Sequence, residues 1–139
     1  GVDRMFLSVI AASYHEETLE KGDTRVVMKL PPALAPVKVA VLPLVRKDGM
    51  PEKAREIIDK LKFNFKSHYD EKDSIGKRYR RQDAIGTPYC VTIDHQTLED
   101  NTVTIRERDT MEQKRVTIEE LEKELAKTTT IESLLRQLI

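Results

Sequence analysis

From Asp3 to His15 apolar residues recur at helical spacing, with Phe6, Val9, Ile10 and Ser13 on one side and Leu7 and Ala11 beside them, predicting an amphipathic helix. The charged run Glu16 to Asp23 breaks at Lys21, Gly22 and Asp23 and leads into the apolar stretch Val26 to Leu30. Pro31, Pro32 and Pro36 follow, where neither a helix interior nor a central strand tolerates the missing donor, and a module boundary is expected there. The pattern then changes. Val37 to Leu42 is a short, nearly continuous apolar run, as a strand covered on both faces requires. Pro51 suits a first helical turn, and Ala54, Ile57, Ile58 and Leu61 place one apolar face on a helix from Pro51 to Lys62. Phe63 to Tyr69 reads as a second strand. Ser74 caps a helix to Ala84, with Ile75 and Tyr79 inward and its basic residues mostly outward, and Gly86 and Pro88 stop it. Tyr89 to Ile93 is a third strand, and Thr102 to Arg108 pairs with Lys114 to Ile118 across the turn Asp109 to Glu112. Thr117 with Glu120 forms a capping box for a helix from Ile118 to Lys127. A second box, Thr129 with Glu132, opens a short helix carrying Ile131, Leu134, Leu135 and Leu138, which either packs on its own domain or meets a partner helix.

This order predicts an α/β fold: a mixed five-stranded sheet with about three packed helices, plus helices at the N- and C-termini. The expected division is 1–30 as a preceding piece and connector, 31–127 as the domain, and 128–139 as the terminal helix. A chain of 139 residues with 39% apolar content buries roughly two thirds of its unfolded surface, enough for one core. The 24 basic and 24 acidic residues cancel, which excludes a polycation. The longest mostly apolar stretch, Met5 to Ala12, is far below the roughly 20 residues of a membrane span. Gly1 has no preceding Met and no leader pattern follows, so the chain reads as an excised fragment with the cytoplasm as its expected compartment. The single cysteine, Cys90, fits a reducing environment and a buried, inert thiol.

Several chemistries are missing. Gly76 and Lys77 resemble the end of a phosphate-binding loop, but Glu71 stands where that loop needs glycine. The five glycines make no dinucleotide fingerprint, and there is no Gly-x-Ser-x-Gly elbow. His15, His68 and His95 are scattered, and Cys90 with His95 supplies one pair where zinc needs three or four ligands, so no metal site is expected.

Charge is nevertheless placed. Lys72, Lys77, Arg78, Arg80 and Arg81 stand against Asp73 alone between residues 72 and 81, either as a phosphate-facing edge beside the helix N-terminus or as a solvated helix face. On Thr102 to Arg108, strand alternation sends Val103 and Ile105 one way and Thr104, Arg106 and Arg108 the other, the arginines about 7 Å apart. That spacing suits successive nucleotides of an unpaired strand, with Glu99 placed to accept from an exocyclic amine; a twisted surface strand with scattered charge is the alternative.

The runs Asp70 to Tyr89, Val91 to Arg106 and Arg108 to Gln113 closely resemble the C-terminal anticodon-binding domain of glycyl-tRNA synthetases, and Leu30 to Val39 is similar to the start of that domain across several class II synthetases. The resemblance covers about Gly1 to Lys127. Gly1-Val-Asp-Arg4 resembles class II motif 3, whose arginine contacts the ATP triphosphate, so Arg4 takes that position.

The resemblance implies the class II anticodon-binding fold and glycine tRNA as partner. It also implies ATP with Mg in a full enzyme that is a homodimer, with no cofactor and no activity in this fragment. It casts Glu99, Arg106 and Arg108 as readers of the two anticodon cytosines, and Lys72, Lys77 and Arg80 as holders of the RNA backbone. A noncatalytic accessory domain of the same fold is the alternative, and a small α/β enzyme lacks any catalytic constellation.

Overall fold

In a computed structural model describing residues 1–139, the chain opens with helix α1 (Val2–Ser13) and an antiparallel hairpin of β1 (Tyr14–Thr18) and β2 (Thr24–Met28). The hairpin was not expected, because its buried positions are Arg25 and Val27 rather than an apolar row. Alternation is there, but one of its inward residues is charged.

The prolines after it form a 3-10 turn, Pro32–Leu34. Beyond the turn come β3 (Val39–Pro43), α2 (Met50–Leu61), β4 (Ser67–Tyr69), α3 (Ile75–Ile85), β5 (Tyr89–Ile93), α4 (His95–Asp100), β6 (Thr102–Glu107), β7 (Gln113–Thr117), α5 (Ile118–Thr129) and α6 (Ile131–Gln137). The sheet runs β4-β3-β5-β6-β7. The first three strands are parallel, and β6 and β7 are antiparallel to their neighbours. The predicted mixed five-stranded sheet is therefore present.

Local chemistry explains the boundaries. Ser74 accepts from the Lys77 N–H at the start of α3, and Thr117 and Glu120 form the expected capping box of α5. Gly86 ends α3 at φ +86°, and a Cβ there would lie 3.1 Å from the Met28 carbonyl oxygen, so glycine meets both the left-handed cap and the close approach of the hairpin.

Three expectations shift. The second strand is only Ser67–Tyr69, since the turn after α2 leaves Phe63 82% exposed. Helix α4 was missed because its box pairs Asp94 with Thr97 instead of a glutamate. The cap of α6 is Thr130, while Thr129 donates to the Leu125 carbonyl inside α5. Helix α6 packs against α5 and the proline turn, with Ile131, Leu135 and Leu138 exposed.

One sheet face carries the core. Val39, Val41, Val91, Ile93, Val103 and Ile105 meet Met50, Ala54, Ile57 and Leu61 of α2 and Ile118, Leu121 and Leu125 of α5. On the other face α3 sets Ile75 and Tyr79 over Ala40, Leu42 and Cys90. Burial pushes the Cys90 thiol up to about 12, which leaves it unreactive at neutral pH. No helix is long and apolar enough to cross a membrane.

Candidate nucleic-acid interface

The connection from β3 through α2 to β4 runs toward one edge of the sheet, and that from β4 through α3 to β5 runs back past β3. Right-handed crossovers then put the two helices on opposite faces and create a switch point between the carboxyl ends of β3 and β5, the usual place for a ligand in such sheets. Arg78 sits beside it, at the carboxyl ends of β3 and β4. Its guanidinium donates to the carbonyls of Pro43 (2.6 Å), Leu44 (3.2 Å) and Asp70 (3.2 Å), so this member of the basic cluster is internal rather than outward.

The rest of the cluster divides around α3. Arg81 is held by Asp70 (2.7 Å) and Asp73 (2.8 Å) on the side toward β4. Lys77 is exposed and Lys72 is exposed in the loop after β4; neither forms an ion pair, and the same holds for Lys47 in the loop after β3. Three uncompensated lysines thus gather at the carboxyl ends of the parallel strands. Arg80 lies 3.5 Å from Asp83 and keeps 41% of its side chain in solvent.

Because α3 covers β3 and β5 and reaches β6 only at Arg106, through Asp83 and Tyr79, the rest of that face of β6 and β7 stays open. Register places Thr102 opposite Thr117, Thr104 opposite Arg115 and Arg106 opposite Gln113, all on this face. Thr104 is half-buried, while Arg115 and Gln113 are exposed. Tyr79 borders the trough, its hydroxyl 2.6 Å from Thr92 Oγ1. Arg115 bridges Asp94 and donates to the Thr102 hydroxyl.

Partial burial pushes the Asp94 carboxyl up, but Arg115 and the Thr97 N–H and hydroxyl outweigh it and hold it below its ordinary range. A depressed carboxylate stabilises the fold above its unfolded pKa and loses that contribution as pH falls through the folded one. Melting temperature is therefore expected to drop between about pH 5 and pH 2, and less steeply in Asp94→Asn. Parallel melting curves for parent and variant across that window would refute the assignment.

Arg106 and Arg108 require correction. The alternation on β6 is as expected, but Arg106 is 3% and Arg108 2% exposed, so neither reaches a base. Arg106 donates to both Asp83 oxygens (2.8 and 3.1 Å) and lies over the Tyr79 ring. Arg108 donates to the carbonyls of Gly86 (2.8 Å) and Leu30 (2.7 Å) and pairs with Asp109. The face expected to be open at these residues is covered by the C-terminal turns of α3 and by the hairpin. Sequence reasoning also missed Arg25 and Asp83, which anchor that covering, and Arg115, which is on the open part.

Glu99 is exposed and free of ion pairs, but on α4 rather than at the head of a strand. Arg4 is exposed on α1.

A family model described as "Anticodon binding domain" matches residues 38–128. The chain is 52% identical over 109 residues to the glycine–tRNA ligase of Borrelia hermsii, covering 78% of this chain and 24% of that protein. It is 57% identical over 109 residues to the glycine–tRNA ligase of Clostridium beijerinckii, covering 78% and 23%. The chain therefore spans about a quarter of the length of these curated relatives. Among solved structures, the RNA-binding domain of threonyl-tRNA synthetase from Cryptosporidium parvum superposes with a TM-score of 0.65 at 26% identity, over 72% of this chain and 25% of that one.

Proposed function

Given that the chain belongs to the anticodon-binding domain family, we propose that it is the part of a class II glycine–tRNA ligase that holds the anticodon stem-loop of glycine tRNA. The observation that carries this reading is the polar half-face left uncovered at Thr104, Gln113 and Arg115 of β6 and β7, together with lysines that lack ion-pair partners at the carboxyl ends of β3 and β4.

Lys72, Lys77 and Arg80 attract the phosphates of the loop, which makes binding salt-dependent. Glycine codons begin GG, so the anticodon offers two cytosines, each with an amino donor and ring acceptors. Asp94 or Glu99 accepts from an amino group, and Arg115 takes the base-facing role expected of Arg106 and Arg108. In this reading residues 1–30 are the end of a catalytic domain. Glycine activation, ATP with Mg, the homodimer contact and the cytoplasmic setting belong to the whole enzyme.

Titration with the glycine anticodon stem-loop tests this. Each replaced cytosine is expected to weaken binding by about 1–3 kcal/mol, and equal affinity for matched and replaced loops would overturn the reading. The residue roles separate in the same assay. Lys77→Ala lowers affinity for every sequence alike and flattens the salt slope by about one unit. Arg115→Ala erodes the preference for cytosine by about 1–3 kcal/mol and leaves other loops bound as before.

A further inference from the structure

The most heavily built cluster in the molecule lies outside this RNA-facing surface and begins ahead of the family domain. The Arg25 side chain, on β2, has no exposure. It donates to Glu17 (2.8 Å), to Asp83 on α3 (3.1 Å), to the Arg108 carbonyl (2.8 Å) and to the Asp109 carbonyl (3.2 Å) just past β6. Asp83 in turn receives both Nη atoms of Arg106, which lies over Tyr79, and Tyr79 bonds Thr92. An unbroken series of contacts thus runs from the hairpin, through the base of α3, to the strand next to Thr104.

We propose that Arg25 is a positioning residue for base reading: by clamping Asp83 and the end of β6 together, it sets how α3 lies beside the open face of β6 and β7. This rests on the anticodon reading above. Desolvating an ion pair of this kind contributes little net stability compared with apolar packing, whereas the fixed fork of a guanidinium specifies geometry among three elements at once. Arg25 and Asp83 are 58 positions apart in sequence, so the hairpin is part of the recognition machinery although it precedes residues 38–128.

Arg25→Lys in the full chain keeps a charge near Asp83 but cannot reach the two carbonyls as well. Glu17→Gln is a gentler variant, because Glu17 is partly solvated and shared between Arg25 and Lys29. A purely structural role scales affinity for matched and replaced loops together, through the folded fraction, and leaves their ratio alone. A positioning role changes the ratio. For Arg25→Lys the ratio is expected to fall by about tenfold with the salt slope unchanged, and for Glu17→Gln to fall less in the same direction. Proportional losses on both loops, or an unchanged ratio in both folded variants, would overturn the proposal. A parent chain whose own ratio is one would remove the anticodon reading, and this inference with it.

Discussion

Asp83→Ala is expected to lower the unfolding free energy by about 3–5 kcal/mol, because it strips the only carboxylate from the buried Arg106 guanidinium and one of two from that of Arg25. Arg25 and Arg106 approach this carboxylate at 3.1 and 2.8 Å, and the side-chain exposures of Arg25, Asp83 and Arg106 are 0%, 1% and 3%. Without Asp83, Arg106 must be hydrated by opening the base of α3 or remain uncompensated in a low-dielectric site, while Arg25 is left with the partly solvated Glu17 alone, and each is unfavourable. Urea unfolding monitored by circular dichroism measures the loss. Asp73→Asn is the comparison: its carboxylate is half exposed beside Arg81 and asparagine tolerates its φ of 66°, so about 0–1 kcal/mol is expected there. Similar losses in the two variants would mean that water reaches the Asp83 cluster.

A loss of about 2–5 kcal/mol is also expected for Leu121→Ala. Leu121 is fully buried in the core formed by α2, α5 and the inner sheet face. Truncation removes its transfer free energy and leaves a cavity that elements packed on both sides cannot close. Leu135→Ala on the exposed side of α6 should shift stability by no more than about 0.5 kcal/mol. Leu121 also separates folding from recognition. It is on the face opposite the trough, so the variant, where folded, is expected to keep the parent's preference between loops. A changed preference would place the RNA surface on the α2 and α5 side.

These two sites show what was legible in advance. The apolar periodicity that identified Ala54, Ile57 and Leu61 as inward-facing is a local property, since the helical repeat puts such residues on one side wherever the helix docks. Caps, turn glycines and the βαβ order were readable for the same reason. The hairpin β1–β2 and helix α4 were not, because an inward arginine and an Asp–Thr box resemble solvated surface in a linear sequence. The basic cluster was correctly seen as local, but it divides among an internal plug at Arg78, an ion pair at Arg81 and uncompensated lysines.

By itself the sequence determined the type and order of most elements, the alternation of the core strands and, through its resemblance, the family. Only the tertiary structure decided which sides face water. Alternation put Arg106 opposite Ile105, yet whether that side is open depends on α3 and a hairpin distant along the chain, and their docking covers Arg106 and Arg108 while leaving Arg115 exposed. Periodicity is set by bonds between near neighbours, whereas burial of a charge is set by partners tens of residues away, and no local pattern encodes their arrival.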